Sequence, residues 1–271
     1  MKPLFIPAPS GRLFAVWYLP VNQAISRAII HIPAFGEEMN KSRRMVALQA
    51  RAFAEQGRAV LVLDLFGTGD SSGDFGEATW QLWLQDIAVA VDWLKQQGAQ
   101  KIDLWGLRTG ALLAMDFASL GRCPIQRLIA WQPVLNGETF ITQFLRLRVA
   151  AAMMDSNAPR EKTADLKRQL QEGQGIEVAG YLLNPELVVP LMALRAEQLN
   201  WQFIHDIAVF EVVSSADSPA SLGNSQLLLT LQKQAVNASL VTIAGDAFWA
   251  SQEISEVPDL ITATSNVDRV N

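Results

Sequence analysis

Residues 102–118 read IDLWGLRTGALLAMDFA, with Gly106 and Gly110 standing two positions either side of Arg108. In the pattern G-x-S-x-G, such glycines flank a serine at the tip of a strained strand-to-helix turn, where any larger side chain would strike the neighbouring strand and helix. Here the tip holds an arginine. The frame for a nucleophile is present and the nucleophile is not. Serine chemistry also needs an imidazole base, and the chain has two histidines, His31 and His205. His31 lies inside an apolar run and His205 ends a helical stretch, so neither follows the last strand, where the base belongs in the order Ser, Asp, His. That place reads AGDAFW, with Ala247 where a histidine would stand. An acid is available: Asp217, in VVSSADSP after an earlier strand. A Ser-His-Asp hydrolase is therefore excluded on residue identity, and Arg108 and Asp217 remain as the candidate catalytic pair.

Around that tip, HIPAFGEEMNKSRR (31–44) occupies the place of a loop that donates a backbone N–H to a developing oxyanion, with the N–H of Thr109 as the second donor. Most charges of this loop read as a solvated helix start, with acids favoured at the N-terminal end. Glu37 and Glu38 are exceptions, since the loop should lie close to Arg108. With Thr109 and Trp249 they make the candidate ligand-binding set. A guanidinium in a narrow cleft demands a carboxylate or a bound anion. LDLFGTGDSSG (63–73) is not a dinucleotide fingerprint, because the third glycine of G-x-G-x-x-G is Ser72. Cys123, beside Pro124, reads as a small buried residue, and no His, Asp or Glu cluster has metal-ligand spacing. No cofactor or metal is expected.

The elements that must position these residues alternate. Strands are expected at 12–20, 27–35, 59–66, 101–107 and 127–134, and helices at 41–56, 79–98 and 109–121. Strict alternation implies an α/β fold with a mostly parallel sheet and helices on both faces. Residues 135–205 read as helical without a clear strand. Strands then return at 208–219 and 239–249, with a helix near 224–236 between them. The expected organisation is a sheet core over 1–134, a helical lid insertion over 135–205, and the last core strands over 206–271: the outline of a lidded α/β-hydrolase fold.

At 271 residues, 50% hydrophobic and 18% charged, the chain can bury one large core. Its net charge of −5 and scattered cations argue against nucleic acid. One cysteine suits a reducing compartment, the start MKPLFIPAPSGRLFAVW lacks the unbroken apolar core of a signal peptide, and no apolar run is long enough to span a bilayer. A cytoplasmic protein is expected.

Together PAFGEEMNKSRRM, DLFGTGDSSGDF, LWGLRTGALLA, EVAGYLL and GDAFW resemble the exosortase A system-associated hydrolase type 2 branch of the α/β-hydrolase superfamily. The likeness runs over nearly the whole chain and includes the arginine at the turn. It implies the hydrolase fold and a setting beside exopolysaccharide genes and a protein-sorting machinery, not a demonstrated reaction. The expectation is a catalytically degenerate binding or accessory protein that takes a small anionic or acyl ligand at Arg108, or a protein partner in the same pathway. The alternative is an atypical hydrolase or acyl transferase acting on an ester or amide through a non-standard site. A third reading has Arg108 neutralised by Glu37 or Glu38 in a filled cleft.

Overall fold

The computed structural model describes residues 1–21, 24–154 and 160–267. Residues 155–159 of the expected lid and 268–271 of the expected last segment lie outside the described residues. The core is an eight-stranded sheet, flanked by helices. Its strands are β1 (Lys2–Ala8), β2 (Gly11–Tyr18), β3 (Arg27–Ile32), β4 (Ala59–Leu63), β5 (Lys101–Leu107), β6 (Arg127–Trp131), β9 (Asp206–Val213) and β10 (Asn237–Ala244). They are ordered β1-β2-β4-β3-β5-β6-β9-β10. The pairs β1–β2 and β2–β4 are antiparallel and the rest are parallel. β3 and β5 lie mid-sheet and read as near-continuous apolar runs because both of their faces are covered.

One face packs on α2 (Trp80–Gln96), α3 (Thr109–Ser119) and α7 (Leu222–Lys233), through Leu104, Ile87, Leu112 and Leu231. The other packs on α1 (Glu37–Glu55) and α8 (Pro258–Ser265), through Phe53, Trp105, Trp131 and Leu260. The period-2 alternation of β5 divides Leu104 from Trp105 between these two cores. Beyond shifts of a few residues at element ends and the unanticipated α8, sequence and structure differ at three places. β1 escapes a sequence reading because it carries Pro3 and Pro7, which an edge strand tolerates by leaving their missing N–H groups outside the ladder. α1 begins at Glu37 rather than Lys41, directly after Gly36 at φ 55°, so Glu37 and Glu38 form its first turn.

The third difference corrects the expectation of an all-helical 135–205. Beside α4 (Gly137–Met154), α5 (Thr163–Gln171) and α6 (Pro185–Ala193) the segment carries a hairpin of β7 (Ile176–Val178) and β8 (Tyr181–Leu183). Its two-residue turn has Ala179 at φ 51° and Gly180 at φ 83°, the positive φ pair that joins twisted antiparallel strands. Three-residue strands are too short to show period-2 alternation in sequence. Among the described residues no helix is long and apolar enough to cross a membrane.

Candidate functional site

β5 enters the turn at Leu107 and α3 leaves it at Thr109, with Arg108 between them at φ 55°, ψ −118°. This is backbone strain in a region that side chains rarely adopt. The two glycines explain why the turn can be so tight. A Cβ on Gly106 would lie 2.4 Å from Ala111 Cα, and one on Gly110 would lie 2.3 Å from the carbonyl oxygens of Ile32 and Pro33. The first glycine lets the strand meet its own helix. The second lets the helix meet the loop after β3. Backbone bonds hold the tip: Arg108 N–H donates to the Trp131 carbonyl at 2.9 Å, and its carbonyl accepts from Ala111 and Val134 N–H.

The Arg108 side chain is largely claimed by protein groups. Its Nε donates to both carboxylate oxygens of Glu38, at 3.1 and 3.3 Å, and its Nη1 donates to the Gln132 carbonyl at 3.4 Å. The guanidinium carbon lies 5.5 Å from the centroid of the Trp249 ring, a cation–π contact. Nη2 meets no acceptor among the described residues, and the side chain remains 19% exposed. Burial pushes the Glu38 carboxyl up, against the lowering effect of Arg108. Those opposing causes describe a half-buried ion pair that each partner needs.

The other expected site residues divide. Thr109 is buried at the first turn of α3, where N–H groups have no intrahelical acceptor. Trp249 is 8% exposed and faces Arg108. Glu37 turns away, accepting from the Tyr181 hydroxyl at 3.3 Å and from Asn40 at 3.1 Å. The Tyr181 hydroxyl is pushed up by burial and then by the Glu37 charge. Asp217 is exposed in the loop after β9, and among the described residues nothing joins it to Arg108. Ala247 is exposed in the loop after β10. The structure therefore brings Glu38, Arg108, Thr109 and Trp249 together and leaves Asp217 and Glu37 apart. His31 packs against Trp105, with ring centroids 4.3 Å apart and planes tilted by 52°.

Gln132 belongs to this site and a sequence reading passes over it. At φ 42° it is a second strained residue. Its N–H donates to the Phe210 carbonyl, its side-chain oxygen accepts from Val212 N–H, and its carbonyl receives Arg108. A polar residue wedged between a buried strand and a proline, in IAWQPV, is the available signal. Beside the loop after β3, Phe35 is 2% exposed and ringed by Phe75, Trp83, Phe140 and Phe144, with centroids 5.2 to 6.1 Å away. Aromatic packing occupies the space between that loop and α4.

Residues 26–180 match the family described as serine aminopeptidase, S33, over more than half the chain. The chain belongs to that family. Solved structures share its fold at low identity. Est1E from Butyrivibrio proteoclasticus, in a structure with ferulic acid bound, is 21% identical with a TM-score of 0.68, covering 98% of each chain. An esterase from Pyrobaculum calidifontis is 14% identical with a TM-score of 0.63, covering 99% of this chain and 84% of its own. No curated protein matches in sequence.

Proposed function

We propose that this protein is a catalytically degenerate α/β-hydrolase that works as a binding or accessory protein, in the exopolysaccharide and protein-sorting setting implied by its resemblance to the exosortase-associated branch. The observation that carries the reading is the Arg108–Glu38 pair at the strained turn after β5, where the sequence pattern leads one to look for a nucleophile. A guanidinium cannot attack an acyl carbon at neutral pH, because it stays protonated and has no lone pair to offer. A base in the usual place is also lacking, since Ala247 has no titratable atom.

Arg108 keeps one recognition edge. Nη2 can receive a carboxylate or phosphoryl oxygen while Glu38 holds Nε, and the N–H groups at the start of α3 lie beside it. A small anionic or acyl ligand is the occupant this edge suits, with Trp249 as an apolar wall. Ferulic acid in the Est1E structure belongs to the same chemical class. In this reading 135–205 is a lid whose aromatic residues restrict the space above Arg108. Incubation with a fluorophosphonate probe and with short p-nitrophenyl esters tests the proposal. Neither labelling nor turnover above a heat-denatured control is expected. Turnover that survives purification and is lost in Arg108→Ala or Asp217→Asn overturns it in favour of an atypical hydrolase or acyl transferase.

A further inference from the structure

The two edges of the sheet are finished differently. β1 closes one side, where Pro3 and Pro7 remove N–H groups from the edge and Lys2 adds a charge. Both devices discourage the addition of a further strand. β10 closes the other side as NASLVTIA, Asn237–Ala244, with no proline, no glycine and no charged side chain. That edge carries no such guard.

Two backbone bonds set the parity of β10 against its parallel neighbour β9. Asn237 N–H donates to the His205 carbonyl, and Gly245 N–H to the Val213 carbonyl. Odd-numbered residues of β10 therefore spend their N–H and C=O groups on β9, and even-numbered ones turn theirs away from the sheet. The outward set is Ala238, Leu240, Thr242 and Ala244. Among the described residues none of their backbone groups on that side has a hydrogen-bond partner. Ser239, Leu240, Val241 and Thr242 are also only half-buried.

We propose that this edge pairs with β10 of a second copy of the chain, antiparallel across a twofold axis, so that the two sheets become one. An axis at Val241 opposes every outward residue to another: Leu240 meets Thr242 of the second copy, and Ala238 meets Ala244. Each such pair exchanges two hydrogen bonds. An axis at Leu240 instead sets Ala244 against Val236, whose N–H already serves the Leu231 carbonyl. One at Thr242 sets Ala238 against Asp246, beyond the strand. Identical strands that cross without charged side chains bring no like charges together. Leu240 belongs to the apolar core on one face of the sheet and Val241 to that on the other, so both cores continue across the joint. α7, which packs on β10, carries a single charge, Lys233. The joint is independent of whatever Arg108 binds, since β6 and β9 stand between β5 and β10.

The register gives the test its address. At the axis Val241 faces itself in a pair without hydrogen bonds, with Cα atoms about 4.5 Å apart, within reach of a disulfide. In a Cys123→Ser background, Val241→Cys should therefore oxidise to a covalent dimer. Ser239→Cys should not, because its own copy lies four residues along the strand, roughly 14 Å away. The unmodified protein should sediment as a dimer. Thr242→Pro removes an outward N–H without touching the β9 ladder and should give a folded monomer. Thr242→Lys leaves the backbone whole, places two cations about 7–8 Å apart on the diagonal, and should weaken the dimer about tenfold. An unmodified chain that sediments as a monomer overturns the proposal. So does a dimer that persists undiminished in whichever Thr242 variant keeps the native circular dichroism, or cross-linking at Ser239→Cys equal to that at Val241→Cys.

Discussion

The turn after β5 and the loops after β9 and β10 lie at the same edge of one sheet, yet they are held by different forces. At the turn, each backbone atom is set by contact: Gly106 against Ala111, Gly110 against the Ile32 and Pro33 carbonyls, and the Arg108 N–H on Trp131. In the loops, the Asp217 and Ala247 side chains are exposed and, among the described residues, make no hydrogen bond, though the Ala247 carbonyl accepts from Ala250 and Ser251 N–H. Packing fixes the path of the turn whatever side chain stands at its tip. Side chains in such exposed loops have no comparable stake in folding, so they can vary while the fold persists. An arginine at the tip then needs a partner, and the first turn of α1 supplies Glu38.

That contrast breaks most visibly at the glycines. Gly110→Ala drives a Cβ into two backbone carbonyls that cannot rotate away, and should cost about 4 kcal/mol in chemical denaturation. Near-normal stability of this variant would mean that the close approach of α3 to the β3 loop is not what holds the turn.

A smaller effect is expected where a carboxylate braces the same frame. Asp86 on α2 is 2% exposed and accepts from Phe66 N–H at 2.7 Å, fixing the chain after β4. Burial, opposed by that bond, raises its pKa from 3.8 to about 7. Because the folded form then binds the proton more tightly than the unfolded chain, this group's stabilising contribution is complete below about pH 4 and is lost as pH rises to about 7. Asp86→Asn keeps the acceptor and removes the titration. Compared with wild type, its stability should gain on the order of 2 kcal/mol at pH 7.5 relative to pH 4. Parallel pH profiles for the two proteins would refute the assignment.

The loops should respond least. Asp217→Asn and Ala247→Ser, on exposed side chains without partners, should each change stability by less than about 0.5 kcal/mol. A larger loss at Asp217 would give it a structural role that its exposed position does not show.

The sequence makes the turn legible because its cause is local: glycines at fixed distances from Arg108 between an apolar strand and a small-residue helix. It also offers Glu37, Glu38 and Asp217 as partners without choosing. The choice needs the helix, which begins at Glu37 and turns that side chain toward Tyr181 while Glu38 faces Arg108. Gln132 is hidden because its role is wholly tertiary, bridging β6 to β9 and the tip at once. β1 is hidden by prolines that only an edge position permits.

The central claim is that an internal ion pair has taken the nucleophile's place, and a double-mutant cycle on Arg108→Leu and Glu38→Leu measures it directly. Each single variant should destabilise the protein by about 2 kcal/mol, less than a fully buried pair because both side chains keep about a fifth of their exposure. The double variant should recover part of that loss, with a coupling of about 1–2 kcal/mol by urea denaturation. Strictly additive losses would contradict the account, leaving Arg108 at the tip without the carboxylate that explains its presence there.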